Sequence, residues 1–468
     1  MKRRTWFSIS LLVFLLAVSA MFTPTAIAQT ARATQTGWLT LLWGDDVPGT
    51  STPRAPRLLL FDDNGKPSDI TLTAELTRDL GGILGLNRQR VVVEGEWTRA
   101  VTGSQTGRVI ARAIRRVETR SAPRTQTSGA QPWVTIMCKF ADIAAEPKSL
   151  TYFQAMLDNT KPGLNHYWRE QAYDAMNLDG SAAAGWFTLP HTRAEYIRSD
   201  GAADLHALAD DCTAAAEASI AFPNFAGIHL AFNADLDCCA WGGNFTLTKN
   251  GVTRAWNLTW LPPWAYNDLT VLAHEMGHGL GLPHSSSVYA RGYDNPWDVM
   301  SDPWSNCSNL RDSVYGCLGQ HTIAYHKDRL GWIPSPQKFI GATGAITLEQ
   351  LAMPQSNNYK LAQIPIGDSA TRFYTVEVRR RVGYDAKLPN QVVIIHEVDT
   401  TRANPAYVMD NDGNGNTGDA GAQWTVGEVF TDAANNISIA ITAATATGYR
   451  ITIGAPPSQR IHLPLLLR

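Results

Sequence analysis

The chain has 468 residues, of which 44% are apolar, a length sufficient for two or three domains with separate hydrophobic cores. It carries 40 basic and 42 acidic residues, a formal charge of −2, so its charge gives no indication of nucleic acid or an anionic membrane as partner. Local arginine groups at 112–120 and 379–381 are interrupted by acidic or apolar residues and are typical of solvated faces.

Residues 1–28 predict a secretory signal peptide. A positively charged start at 2–4 precedes an apolar run at 6–20 and the small-residue cleavage site Ala26-Ile27-Ala28. An uncleaved membrane anchor is the alternative, but the apolar run is short for a membrane span. No later stretch of the sequence is apolar for long enough to cross a bilayer. We therefore expect a secreted protein without a transmembrane span.

Residues 29–130 predict a small β domain and a linker. Turns rich in Asp, Asn and Gly separate the β-prone runs Trp38–Trp43, Arg57–Phe61, Ile70–Thr73 and Val91–Val93. This pattern has some likeness to a small OB-type barrel, and the Ser-, Thr-, Pro- and Gly-rich run at 121–131 is typical of a linker. The sequence leaves open whether the domain is an inhibitory propeptide or an accessory domain.

The cysteines predict disulfide bonds formed in an oxidising compartment, because none has the Cys-x-x-Cys spacing of a zinc site. Six cysteines allow fifteen pairings, and the sequence does not choose among them. Cys307 and Cys317 bracket a short loop and form the favoured pair. The adjacent residues Cys238–Cys239 are not expected to pair with each other, and we expect them to bond to Cys138 and Cys212.

The strongest chemical signal is His-Glu-Met-Gly-His-Gly-Leu-Gly-Leu-Pro-His at residues 274–284. On an α-helix, His274 and His278 project from one face and can bind one Zn²⁺ ion. Gly281 can adopt φ > 0 and turn the chain, so that His284 returns as a third ligand. Glu275 lies beside the metal, where it can accept a proton from an attacking water. Three protein ligands leave a fourth position open, which predicts a catalytic zinc site.

This pattern, His-Glu-x-x-His-x-x-Gly-x-x-His, resembles the metzincin metallopeptidases. Met300 stands where that family has a methionine turn beneath the metal. Four further segments are similar to gametolysin-like and immune-inhibitor-A-like secreted peptidases, namely 140–142, 167–168, 185–190 and 321–332. The resemblance covers roughly residues 131–335.

The resemblance implies a two-lobed zinc endopeptidase domain that hydrolyses extracellular proteins in a cleft between the lobes. It also implies that a strand within 245–260 holds the substrate by strand addition. Some metzincins place a tyrosine two residues after the methionine, but here that position is Asp302. Tyr293 and Tyr315 are alternatives to which no role is assigned. No cysteine lies between residue 29 and Cys138, so a prodomain thiol cannot ligate the zinc.

Residues 336–455 predict a β-sandwich, because short strands recur with turns between them. The predicted strands are Ala345–Leu348, Tyr374–Arg379, Val392–Val398, Ile437–Ile441 and Tyr449–Ile453. Residues 456–468 form a C-terminal tail.

Within the predicted sandwich, Asp410, Asp412 and Asn414 fit the first half of a Ca²⁺-binding loop, and Asp419 could complete the set. The position that carries a bidentate glutamate in such loops is Gly421, so an ion-free turn is equally compatible.

Together these features predict an α+β chain, in which a metzincin-like catalytic domain lies between a small β domain and a β-sandwich. The predicted function is secreted, zinc-dependent hydrolysis of peptide bonds with Glu275 as general base. The alternative is a secreted binding or adhesion protein whose metal site is structural.

Overall fold

The computed structural model describes residues 30–47, 54–98, 107–117, 127–302 and 311–456. In its N-terminal part the strands and helices are β1 (Thr30–Asp46), β2 (Arg57–Phe61), β3 (Pro67–Thr71), α1 (Ala74–Thr77), α2 (Gly82–Leu86), β4 (Arg90–Thr98) and β5 (Gly107–Arg116). The predicted signal peptide, most of the predicted linker and all but the first residue of the predicted tail lie outside the described residues.

The N-terminal strands close into a five-stranded barrel. Strand β1 pairs with both β2 and β4, β2 pairs with β3, β3 runs parallel to β5, and β5 pairs with β4. Alternate residues of β1 and β4, such as Leu39, Leu41, Val91 and Val93, point into a buried apolar core. Period-2 alternation thus gives the barrel its interior, as expected for strands with one buried face. The sequence predicted a small barrel in this region, and these pairings close one.

The central part contains β6 (Gly129–Ala130), β7 (Trp133–Lys139), α3 (Leu150–Met156), α4 (Leu164–Ala172), β8 (Met176–Asn177), β9 (Ala182–Thr188), α5 (Leu205–Ala216), β10 (Gly227–Phe232), β11 (Cys239–Lys249), β12 (Val252–Leu261), α6 (Pro263–Tyr266), α7 (Leu269–Gly279), β13 (Ser286–Ser287), β14 (Arg311–Asp312), β15 (Gly316–Cys317) and α8 (Ala324–Arg329). Helix α4 ends at Ala172 because Tyr173 and Asp174 adopt left-handed backbone conformations that stop the helical hydrogen-bond pattern.

The barrel and the central part share one continuous sheet. Its ten strands follow the order β2-β3-β5-β4-β1-β11-β12-β10-β7-β9. Strand β1 is 17 residues long, so its first part completes the barrel while Leu42–Asp46 pair antiparallel with β11. The two regions predicted as separate domains are therefore joined by backbone hydrogen bonds. Two apolar clusters pack on the faces of β7, β10 and β12, and one of them includes α7.

The cysteine pairing differs from the prediction. Cys138 of β7 bonds to Cys212 of α5, and the adjacent Cys238 and Cys239 bond to each other. The expectation that the adjacent cysteines reach outward is wrong, because β7 and α5 already bring Cys138 and Cys212 together in the core. The predicted Cys307–Cys317 pair involves a residue outside the described part of the chain.

The C-terminal part contains β16 (Lys338–Ile340), β17 (Gly344–Glu349), β18 (Leu361–Pro365), β19 (Arg372–Arg379), β20 (Val392–Asp399), β21 (Ala406–Val408), β22 (Val429–Asp432), β23 (Ile437–Ala444) and β24 (Gly448–Gly454). All five strands predicted here lie within observed strands. One sheet has the order β13-β21-β20-β19-β18-β16, and the other has β17-β24-β23-β22. Residues of both sheets, among them Val376, Ile395, Ile439 and Ile451, share one buried apolar cluster.

Candidate metal centre

The predicted metal motif begins on helix α7, which is buried over its whole length and contacts β11 and β12. Asp268 occupies the N-cap position of this helix. His274 and His278 project from one face of the helix, and their Nε2 atoms lie 3.1 Å apart. Helical spacing therefore gives the two imidazoles a common centre.

The turn after α7 brings His284 to the same centre. Gly281 has φ +93°, a left-handed conformation that favours glycine. The Nε2 atom of His284 lies 3.2 Å from that of His274 and 3.0 Å from that of His278. The structure thus brings together the three histidines that the sequence singled out.

Met300 lies beneath this centre, packed against Gly277 of α7. A Cβ atom added to Gly277 would lie 2.4 Å from the Met300 sulfur, so the two residues are in close contact. The neighbouring carbonyl oxygen of Val299 lies 2.6 Å from His274 Nδ1 and accepts a hydrogen bond from it. The segment around Met300 therefore supports the helix and orients one of its histidines.

Asp298 anchors that segment, a role not predicted from the sequence. Its carboxylate accepts hydrogen bonds from the Met300 amide at 3.0 Å and the Ser285 hydroxyl at 2.7 Å, and it lies 3.1 Å from His326 Nδ1. Burial raises the pKa of Asp298, but the His326 imidazole and these hydrogen bonds outweigh burial and hold it well below its usual range. Its position two residues before Met300 is the sequence signal that could have identified it.

The donor atoms fit a divalent metal ion. Because carbonyl oxygens only accept, the bonds from His274 Nδ1 to Val299 and from His278 Nδ1 to Leu282 at 2.8 Å leave both Nε2 atoms with free lone pairs. Tetrahedral zinc bonds of about 2.0–2.1 Å place neighbouring nitrogens about 3.3–3.4 Å apart. The observed separations of 3.0–3.2 Å are close to that value. Burial lowers the pKa of His278 to about 3, which favours its neutral form, whereas at His274 the neighbouring Asp45 carboxylate outweighs burial and raises the pKa.

Asp45 of β1 supplies a fourth group at this centre. Its Oδ1 lies 2.9 Å from His284 Nε2, and its Oδ2 lies 3.3 Å from the Nε2 atoms of His274 and His278. The prediction of an open fourth position is therefore wrong for this conformation. Asp45 lies more than 200 residues before the motif, and its approach depends on the pairing of β1 with β11. No local pattern around Asp45 indicates that pairing.

Two aromatic side chains hold Asp45 and the histidines in place. The hydroxyl of Tyr293 donates a hydrogen bond to Asp45 Oδ1 at 2.6 Å. The indole of Trp43 stacks on the His278 imidazole with 4.8 Å between ring centroids. Tyr315, the other tyrosine considered from the sequence, packs against Tyr152 instead. Tyr293 is therefore the tyrosine of that pair that reaches the centre.

Glu275 is fully buried beside the histidines, and neither of its carboxylate oxygens accepts a hydrogen bond from any residue that the structure describes. It packs over Gly242 of β11, where an added Cβ atom would lie 3.0 Å from Glu275 Oε2. Burial and the neighbouring Asp45 carboxylate raise the pKa of Glu275 well above its usual range. A divalent cation among the histidines would oppose that shift and favour the ionised carboxylate.

The predicted calcium ligands lie apart from this centre. Asp410, Asp412 and Asp419 place carboxylate oxygens within 4.8 Å of one another. The side-chain amide of Asn414 donates to Asp412 at 2.9 Å and to Asp419 at 2.8 Å, so Asn414 belongs to the same cluster. The cluster is partly exposed, and such acidic turns are common without an ion, so Ca²⁺ binding remains a prediction.

No protein-family model matches this chain, and no curated protein matches it significantly. Among the described residues, no helix is both long enough and apolar enough to cross a membrane.

Proposed function

We propose that this chain is a secreted zinc endopeptidase in which His274, His278 and His284 hold the metal and Glu275 is the general base. The observation that carries the proposal is the juxtaposition of three converging imidazoles with a buried carboxylate, Glu275, that accepts no hydrogen bond from the described residues. A buried carboxylate without a donor destabilises the folded state. Its presence beside potential metal ligands supports a role in proton transfer.

Zinc bound by these imidazoles would act as a Lewis acid that polarises the scissile carbonyl and favours deprotonation of an attacking water. Glu275 would accept that proton and deliver it to the leaving amine. The hydrogen bonds from His274 and His278 to backbone carbonyls would fix the orientation of both rings and raise their basicity. These roles require no residue outside the observed cluster.

The proposed substrate is an extended segment of an extracellular protein. Strand β11 contacts α7, and without β1 its Cys239–Gly243 segment would offer backbone groups to a peptide that adds as a further strand. This segment lies before the interval 245–260 predicted from the sequence and does not overlap it, and in this structure β1 is paired with it. The Cys138–Cys212 bond supports an oxidising, extracellular location.

A second candidate is a secreted protein whose metal centre is only structural. The observation in its favour is Asp45, because four protein ligands are typical of closed structural zinc sites. A closed structural site has no use for Glu275, and this residue favours the peptidase.

The test is substitution of Glu275 by glutamine, which keeps the shape of the side chain and removes its basicity. Loss of the general base is expected to lower kcat/KM for casein hydrolysis by about 10²–10⁴-fold while zinc remains bound. Casein cleavage and metal content by mass spectrometry would be measured with and without a chelator, in the wild-type and Asp45→Ala backgrounds.

The matched control is Glu397→Gln. Glu397 of β20 forms ion pairs with Arg372 and Arg402, away from the metal centre. It is expected to leave cleavage and metal content unchanged. Undiminished cleavage by Glu275→Gln would contradict its role as the base. Zinc-loaded protein that cleaves casein in neither background would favour the structural metal centre.

A further inference from the structure

We propose that a groove between the barrel and the β11–β12 hairpin, here called the hairpin groove, binds a neutral oligosaccharide. The groove consists of two adjoining cavities of about 330 and 390 Å³, which share Gly65 and Thr246 as lining residues. None of the residues that line it belongs to the metal centre. The proposal therefore goes beyond the peptidase function and does not depend on it.

The hairpin groove is formed by parts of the chain that are distant in sequence. The turn between β2 and β3 lies against the hairpin, where a Cβ atom added to Gly65 would be 3.8 Å from the methyl group of Thr246. Helix α5 contributes His206 and Asp210 to the second cavity. Small-molecule sites typically occupy about 300–1,000 Å³, so each cavity can hold a small ligand and the two together suit an elongated one.

The exposed indole of Trp38 is the main apolar surface of the hairpin groove. Its residue is 43% exposed, whereas every other tryptophan that the structure describes is buried or partly buried. Leu39 and Leu41 of the same strand point into the barrel core, so alternation leaves Trp38 on the outer face. A sugar ring has C–H groups on its faces and hydroxyl groups on its rim. It can therefore stack on an indole while its hydroxyl groups bond to polar side chains.

The charged lining of the hairpin groove is balanced. Apart from His206, its three acidic and three basic residues are Asp62, Asp63, Asp210, Lys66, Arg88 and Arg254. Recognition of a polyanion such as nucleic acid requires an excess of cations, which this lining lacks. Hydroxyl groups both donate and accept hydrogen bonds, so a neutral ligand rich in hydroxyl groups can use both kinds of charged partner.

Hydrogen bonds and stacking hold this lining in place while leaving polar atoms for a ligand. Asp62 Oδ1 accepts hydrogen bonds from the amides of Asn64 and Lys66, both at 2.9 Å, and no described residue donates to its other oxygen. The guanidinium of Arg254 stacks over the Trp256 ring, 3.6 Å from a ring centroid. Side chains that are already ordered lose little conformational entropy on binding, which favours affinity.

The experiment titrates the full chain calorimetrically with four neutral hexasaccharides, those of cellulose, chitin, xylan and mannan. At least one of them is expected to bind, and Trp38→Ala is expected to weaken that binding by about tenfold or more because the stacking face is lost. Trp38→Phe keeps a smaller aromatic face and should lose less affinity than Trp38→Ala. Asp62→Asn keeps an acceptor for the turn but removes the charge, and it is expected to weaken binding by about tenfold.

The matched control is Ile110→Ala, because Ile110 is 46% exposed on β5 of the same barrel and does not line the hairpin groove. It is expected to bind the sugar as the wild type does. Failure of all four hexasaccharides to bind would overturn the proposal. Equal affinity in the wild type, Trp38→Ala and Asp62→Asn would also overturn it, since the sugar would then bind elsewhere.

Two further measurements identify the kind of ligand and separate this site from the metal centre. A sulfated heparin hexasaccharide is titrated in parallel, and binding of this polyanion alone would contradict a site for neutral sugars. Casein cleavage is expected to be the same in Trp38→Ala and the wild type, because Trp38 does not line the metal centre. Sugar binding by a chain that cleaves no casein would support the groove and contradict only the peptidase function.

Discussion

His229 shows how burial alone sets the charge of a residue away from the metal centre. It lies in β10, stacks on Trp133 with 4.4 Å between ring centroids, and its Nδ1 lies 2.8 Å from the Thr259 hydroxyl. Burial lowers its pKa from 6.5 to about 3, because the charged imidazolium would lose its hydration. The folded protein therefore holds His229 neutral at pH values where the unfolded chain protonates it.

This difference makes stability depend on pH. Because the folded pKa is below the unfolded value, the contribution is fully present above pH 6.5 and is lost as the pH falls towards 3. His229→Gln is expected to lower the slope of the free energy of unfolding against pH by about 1.4 kcal/mol per pH unit between pH 6 and 4. Urea denaturation at several pH values measures the slope. Thr259→Val, which keeps the imidazole, should retain it, and equal slopes in His229→Gln and the wild type would refute the expectation.

At the scale of elements, one disulfide joins β7 to α5 across a long stretch of chain. Cys138 and Cys212 are 74 residues apart in sequence, whereas Cys238 and Cys239 are adjacent. A cross-link stabilises mainly by restricting the unfolded chain, and the effect grows with the length of the loop that it closes. The two bonds should therefore contribute very differently to stability.

The double variant Cys138→Ala/Cys212→Ala is expected to lose about 4 kcal/mol of unfolding free energy, the chain-entropy value for such a loop. The matched control is Cys238→Ala/Cys239→Ala, whose bond closes almost no loop and whose loss should cost less than about 1 kcal/mol. Guanidinium denaturation under non-reducing conditions compares both with the wild type. Equal losses in the two double variants would contradict this account.

The difference between local spacing and long-range strand pairing explains how much of the candidate site the sequence could predict. His274, Glu275, His278 and His284 lie within eleven consecutive residues, where helical spacing and a glycine turn fix their relative positions. Asp45 could not be predicted, because its place depends on pairing between strands that are far apart in sequence. The predicted cysteine pairing was wrong for the same reason, since the packing of α5 on β7 decides which cysteines meet.

At the scale of the whole molecule, a fully buried charged network joins the C-terminal sheets to the central part. Arg379 of β19 pairs with Asp385 at 2.8 and 2.9 Å and with Glu377 at 3.0 Å. The same guanidinium donates to the carbonyls of Trp297 and His321, and Asp385 accepts from the His321 amide at 2.8 Å. The network therefore links the C-terminal sheets to the segments that contain Trp297 and His321.

Removing the cation from this network should destabilise the whole chain. Arg379→Met leaves Asp385 buried without its counter-ion, which typically costs about 3–5 kcal/mol. Calorimetry is expected to show one transition that moves to lower temperature as a unit. The matched control is Arg372→Met on the same strand, whose exposed pair with Glu397 should contribute less than about 1 kcal/mol. Separate melting of the C-terminal sheets, with the central part unaffected, would contradict the coupling.

The strands of the C-terminal part were predictable because period-2 alternation and turn residues are local signals. The predicted domain boundary near residue 130 does not separate two sheets. Composition changes there, but β1 crosses the boundary in space and pairs with β11. Sequence patterns report which stretches form strands more directly than which strands pair, because pairing is decided by distant partners.

The place of β1 in the chain has a consequence for the order of synthesis. Asp45 precedes His274 by more than 200 residues, and chains emerge N-terminus first at about 5–20 residues per second. Strand β1 would thus exist for about ten seconds or longer before the metal-binding helix is made. Strand β11 also precedes the helix in the chain, so the Asp45 carboxylate can be in place when His274 is made.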